Sequence, residues 1–159
     1  MLQQRLPPAT TSAAIFRTPS AGSLHTLVAN HVVRGRTILP GAGYLEMARG
    51  ACVAVTGGAF GALGASLRGV FFLQPLATSA AGVAVECGLT GGRFEVRSGA
   101  VCGASALDDV AVHCNGEVLA HNMALAQTDV PSRRRWCAGA AYVRSLYCGF
   151  AAMGLEYGP

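Results

Sequence analysis

The stretch His31-Val-Val-Arg-Gly-Arg-Thr-Ile-Leu-Pro-Gly, residues 31–41, decides how this chain is read. It has the form H-x3-G-x4-P-G, with His31, Gly35, Pro40 and Gly41 as fixed points. A basic imidazole precedes a turn-permitting glycine, and a proline–glycine pair then opens an apolar segment. Pro40 suits the first position of a helix, where its missing N–H is not needed. Beyond it Tyr44, Leu45, Ala48, Ala51, Cys52 and Val55 recur at helical spacing, which predicts one long helix from Gly41 to about Val55. Such a motif can set a proton acceptor beside the unsatisfied N–H groups of a helix start. Those are the two devices needed to remove a proton next to a thioester carbonyl.

Working outward, the rest of the chain predicts strands. Ala13 to Arg17 is a short strand, and Ser23 can cap one helical turn through Leu24, Leu27 and Val28. His31 to Val33 extends, turns at Gly35, and extends again through Thr37 to Leu39. Leu67 to Leu73 is stopped by Pro75. Val83 to Leu89 and Arg93 to Arg97 flank Gly91-Gly92, a two-residue hairpin turn. Val110, Val112 and Cys114 alternate and continue through Val118 to His121, with Asn115-Gly116 as a turn or a bulge. Ala138 to Met153 is a second, weaker helix. One helix with antiparallel strands around it is an α+β arrangement.

Composition sets limits. In 159 residues there is room for one ordinary domain, and 52% hydrophobic against 13% charged residues provides a core. The net charge of +4 comes from twelve arginines and no lysine. Arg133, Arg134 and Arg135 form the only basic run, too little for a nucleic-acid face, and read as part of a solvated linker. The six cysteines show no C-x-x-C pair, so they read as reduced structural thiols of an intracellular chain. His113, Cys114 and His121 lack a fourth metal ligand at a familiar spacing. Gly50 to Leu67 is uncharged but holds five glycines, which fits a helix end and a loop better than a membrane span. The acid-free first 45 residues are weakly transit-peptide-like, but the His31 motif lies among them, so a cytoplasmic location is expected.

The run from His31 through Ala48 resembles the dehydratase domain of polyketide synthases and animal-type fatty acid synthases. Met1-Leu-Gln-Gln-Arg-Leu-Pro is similar to the start of that domain, and Phe71-Phe-Leu-Gln-Pro-Leu to its F-x-x-P-L strand. Phe94-Glu-Val-Arg-Ser, His113-Cys-Asn-Gly and Gly154-Leu-Glu-Tyr-Gly-Pro resemble its hairpin, its H-x-x-G strand and the opening of its second half. The resemblance implies a double hot dog, in which each of two units is a long helix wrapped by a curved antiparallel sheet. Residues 1–126 would be the first unit, 127–137 the linker, and 138–159 the truncated start of the second.

The resemblance further implies a 3-hydroxyacyl-carrier-protein dehydratase, with His31 as base and Gly41 as backbone oxyanion donor. Pro40, Gly35 and Tyr157 would line the substrate site. The acid would come from a D-x-x-x-Q/H motif on the second unit. Asp109-Val-Ala-Val-His113 has that letter pattern, but it alternates as a strand and is read as a coincidence. The tryptophan often found shortly before His113 is replaced by Asp108-Asp109-Val110. The expected partners are an acyl carrier protein with its phosphopantetheine arm, the second half or other synthase modules, and a second copy of the chain. Neither a metal nor a redox cofactor, a nucleic acid nor a membrane is implied. Rival readings are a non-catalytic acyl-thioester-binding or dimerising module, and the related product-template domain.

Overall fold

A computed structural model describes residues 4–7, 13–56, 65–102, 106–119, 129–137, 139 and 142–157. Six strands form one antiparallel sheet: β1 (Gln4–Leu6), β2 (Ala13–Pro19), β5 (Ser66–Phe72), β6 (Val83–Thr90), β7 (Arg93–Cys102) and β8 (Ala106–Leu119). Their order is β1-β2-β6-β7-β8-β5. A second, three-stranded sheet has β3 (His31–Val33) at its centre, between β4 (Arg36–Thr37) and β9 (Leu155–Tyr157). Among the described residues four helices accompany them: α1 (Ser23–Val28), α2 (Gly41–Thr56), α3 (Val130–Arg135) and α4 (Val143–Ala152).

The long helix α2 lies against the large sheet, as a hot dog requires. Gly43, Tyr44, Met47, Ala48, Ala51 and Cys52 are buried, a stripe repeating every three or four residues. That stripe is rotated from the one the sequence suggests: Met47 is fully buried, whereas Leu45 is only half-buried and Val55 is 44% exposed. The sheet contributes Phe16, Val85, Cys87, Phe94, Val96 and Cys114 to the same core. Phe16, Cys87, Val96 and Cys114 are register partners on four successive strands, so they meet α2 as one row.

Two hairpins follow from left-handed backbone. Arg34 (φ 50°) and Gly35 (φ 72°) join β3 to β4, and Gly91 (φ 55°) and Gly92 (φ 76°) join β6 to β7. Both are two-residue turns with positive φ at both central positions, whose twist matches paired strands. The cap of α1 differs from expectation. Gly22 occupies the cap position, its carbonyl accepting the Thr26 N–H at 2.9 Å, and Ser23 is already helical.

Asn115-Gly116 is neither a turn nor a bulge on its own strand. It pairs in register with Glu95 and Phe94, and β8 runs straight through it. The extra residues lie elsewhere: at His113 and around Asp109 (φ 51°) on β8, and at Gly69 (φ 55°) on β5 opposite Gly116. Gly116 is required for a different reason. A Cβ there would lie 2.7 Å from the Phe94 ring and 3.2 Å from the Arg68 carbonyl. Gly116→Ala is expected to cost about 1–3 kcal/mol of stability by overpacking, read as a lower urea midpoint with an unchanged slope.

Other expectations are corrected in detail. The second helix is Val143–Ala152, shorter than 138–153, and α3 occupies six residues of the stretch assigned to the linker. The arginine run falls on α3, where Arg134 and Arg135 are exposed. Gly57-Gly58 and His121 lie outside the described residues. Among the described residues no helix is long and apolar enough to cross a membrane, and no group of three His, Cys, Asp or Glu could hold a metal ion.

The cysteines divide into two classes. Cys52, Cys87 and Cys114 are buried, while Cys102, Cys137 and Cys148 are exposed, and none of the six forms a disulfide. Burial pushes the Cys87 thiol up to about 12 and the Cys114 thiol to about 11. The thiolate is the reactive form, so a thiol reagent should titrate three groups in the folded protein and all six after unfolding.

Candidate functional site

His31 begins β3, the central strand of the small sheet, and is half-buried. Its Nδ1 lies 2.8 Å from the Ile38 carbonyl oxygen, and its own carbonyl accepts the Ile38 N–H at 3.1 Å. A carbonyl only accepts, so Nδ1 carries the proton and donates it. The basic lone pair then resides on Nε2. The Arg34–Gly35 turn produces this geometry by folding the chain back so that residues 31 and 38 face each other. Gly35 therefore has a role in the backbone, and it is exposed.

Two residues beyond Leu39, α2 begins. The helix starts at Gly41, where the apolar repeat places it, and the Pro40 carbonyl accepts the Gly43 N–H at 2.8 Å. Gly41 is exposed at the positive end of a sixteen-residue helix. A Cβ on Gly41 would meet the Phe72 ring at 3.5 Å, and that ring lies 6.0 Å from the Tyr44 ring. Phe72 and Tyr44 thus flank the helix start. Burial pushes the Tyr44 phenol up to about 12, so it is protonated throughout the physiological range. Among the described residues its hydroxyl finds no hydrogen-bond partner; the nearby Leu76 backbone moderates the shift without reaching bonding geometry.

Tyr157 pairs with His31 through the backbone, β9 running antiparallel to β3. The Arg34 N–H donates to the Gly154 carbonyl at 2.8 Å and fastens the same junction. The chain that opens the expected second half is therefore joined to the strand carrying the imidazole. The Tyr157 side chain lies outside the described residues. Asp109 is exposed on β8, and its positive φ marks a bulge.

Sequence reasoning missed three features: a backbone carbonyl, a buried phenol and a buried Ser–His pair. The Ile38 carbonyl has no side-chain signature. Tyr44 reads as one more apolar residue of the helical stripe. Ser98 and His113 are buried polar residues on the core face, with Ser98 Oγ 2.7 Å from His113 Nε2 and His113 Nδ1 3.2 Å from the Gln74 carbonyl oxygen. The H-x-x-G pattern points to His113 without revealing this pairing.

Burial lowers the His113 pKa below its ordinary 6.5 despite help from the Gln74 and Pro75 backbone. Below pH 6.5 the unfolded chain therefore binds a proton that the folded chain resists. Stability from this group is complete above about pH 6.5 and is lost as pH falls toward the lower folded value. Replacing His113 by Asn should flatten that part of the acid-unfolding curve, as followed by circular dichroism.

The family model of the polyketide synthase dehydratase domain matches residues 1–101. The dehydratase domain from the CurF module of curacin polyketide synthase superposes with a TM-score of 0.76 at 19% identity, covering 99% of this chain and 57% of that one. An inactive CurK dehydratase with Asn in place of an Asp gives 0.73 at 18%, covering 99% and 56%. An inactive CurK dehydratase with Phe in place of a His gives 0.72 at 17%, covering 99% and 55%. The chain thus spans little more than half the length of these structures, and its helix-on-sheet arrangement corresponds to the first half of a double hot dog. With its first 101 residues matched out of 159, the chain belongs to the polyketide synthase dehydratase domain family.

Proposed function

We propose that this chain supplies the base-bearing half of a 3-hydroxyacyl thioester dehydratase. The observation that carries the reading is the 2.8 Å contact from His31 Nδ1 to the Ile38 carbonyl oxygen, which leaves Nε2 as the acceptor. In the reaction, Nε2 takes a proton from C2 while the Gly41 N–H and the dipole of α2 stabilise negative charge on the thioester oxygen. The C3–O bond breaks as the C2–C3 double bond forms. The hydroxyl leaves as water with a proton from a carboxylic acid on the second unit. The inactive CurK variants, one altered at a histidine and one at an aspartate, fit a reaction that needs both.

Pro40 sets the start of the helix, Gly35 permits the turn that presents His31, and Tyr157 opens the partner half beside the imidazole. Residues 1–126 form the first unit, 127–137 the linker and 138–159 the start of the second. The substrate arrives on the phosphopantetheine of an acyl carrier protein, in the cytoplasm, where the six cysteines, none of them in a disulfide, stay reduced.

Residues 1–159 alone should show no enoyl absorbance with a 3-hydroxybutyryl pantetheine thioester. The same chain continued through a second hot-dog unit should turn it over. Turnover by both at equal rates would overturn the division of acid and base between the units. One observation favours association as well. Phe71, Phe72 and Leu73 are 63%, 56% and 55% exposed, where β5 forms an edge of the large sheet, and such edges recruit partners. Light scattering is expected to report a dimer.

A further inference from the structure

We propose that His113 is a positioning residue that holds His31 and the start of α2 in one arrangement; this rests on the function proposed above. His113 is 4% exposed, so it does not meet substrate. Its placement comes from the bulge: Val96 pairs with Cys114 and Arg97 with Val112, leaving His113 as the extra residue. Strict alternation would turn one of two neighbours outward, yet His113 and Cys114 are both buried.

From there His113 makes contacts in three directions. Nε2 accepts from Ser98 on β7 at 2.7 Å, and Nδ1 donates to the Gln74 carbonyl at 3.2 Å. These two bonds define a single neutral tautomer. The ring stacks on Tyr44 with centroids 6.5 Å apart and planes 17° from parallel, three residues along α2 from Gly41. The His113 carbonyl also accepts the Leu73 N–H at 2.8 Å, and Gln74 Nε2 donates to the Val112 carbonyl at 2.9 Å.

The segment clamped in this way, residues 73–78, supports the base in turn. Leu39 N–H donates to the Leu76 carbonyl at 2.9 Å, Thr78 N–H donates to the Thr37 carbonyl at 3.1 Å, and Ile38 pairs with Ala77. Ile38 is the residue whose carbonyl fixes the His31 tautomer. A continuous set of hydrogen bonds thus runs from Ser98 through His113 and residues 73–78 to Ile38 and His31, while the His113 ring bears on α2.

The test reads the ring-nitrogen tautomer of His31 in the 159-residue chain by two-bond proton–nitrogen NMR, with no need for turnover. In the wild type His31 should be predominantly the Nδ1–H form. His113→Phe keeps a ring on Tyr44 but loses both hydrogen bonds, and should lower the His31 tautomer ratio about fivefold, the effect of one ordinary hydrogen bond. His113→Asn keeps a donor for the Gln74 carbonyl and should restore most of the ratio. If His113→Phe does not fold, Ser98→Ala serves in its place and should shift the ratio the same way by a smaller factor. An unchanged ratio in a folded His113→Phe or Ser98→Ala protein, or equal ratios for Asn and Phe, overturns the proposal. A wild type without the Nδ1–H preference would instead remove the functional reading, and this inference with it.

Discussion

Replacing Glu86 by Ala is expected to lower the melting temperature by about 10 °C, the largest stability loss anticipated from one surface-compatible side chain. Glu86 is 2% exposed at the middle of β6, on the sheet face away from α2. Arg17 reaches its Oε1 from β2 with Nε at 2.9 Å and Nη2 at 2.6 Å. Arg97 reaches Oε2 from β7 with Nε at 3.0 Å and Nη2 at 2.9 Å. The three residues are direct register partners, Arg17 with Glu86 and Glu86 with Arg97, so the pleat itself aligns both guanidinium groups with one carboxylate.

Truncating Glu86 leaves Arg17, only 7% exposed, without that carboxylate, and removing one member of a buried ion pair costs about 3–5 kcal/mol. Glu86→Gln retains volume and an acceptor and should lose less. Replacing Arg17, Glu86 and Arg97 together by apolar residues of similar size should recover most of the loss, because desolvation of the charges disappears with them. A Glu86→Ala protein that melts within 2 °C of wild type (roughly 1 kcal/mol or less) would show that the triad carries no such weight.

The second large effect falls on catalysis. In a protein carrying both hot-dog units, His31→Ala should reduce kcat for dehydration by about 10²–10⁴-fold, the usual contribution of a positioned general base. KM should change little, because in the proposed reaction the imidazole acts in the transition state and does not bind the acyl chain. The fold should survive, since His31 is half-buried and the β3 pairings to β4 and β9 are made by backbone. A matched circular dichroism spectrum with lost turnover is the expected pair of observations.

The parts legible in the sequence are the local ones. The α2 repeat and the hairpin at Gly91-Gly92 follow from periodicity and from glycine's access to positive φ over a few residues. The turn at Gly35 is legible for the same reason. The core-facing side of α2 was read less accurately, because Leu45 and Met47 are similarly apolar and only the position of the sheet chooses between them. Non-local features left weaker traces. The bulge at His113 depends on which β7 residue lies opposite, and the β3–β9 pairing joins residues more than 120 apart. Glu86 within Val-Ala-Val-Glu-Cys reads as the solvent-facing position of an alternating strand. Only the arginines on the two neighbouring strands turn it into a buried ion triad.

At the site, His31, Pro40 and Gly41 were legible because a motif of eleven residues carries both the imidazole and the helix start. The Ile38 carbonyl was not, because backbone acceptors leave no mark in the residue code. Gly35 was legible as a turn, and its contribution is to bring residue 38 opposite residue 31.

The most direct measurement is release of deuterium from C2 of a 2-deuterated 3-hydroxyacyl thioester by the two-unit protein, comparing wild type with His31→Ala. The wild type should release deuterium to solvent in step with enoyl formation, and His31→Ala should release essentially none. Release from His31→Ala at the wild-type rate would contradict the assignment of His31 as the base.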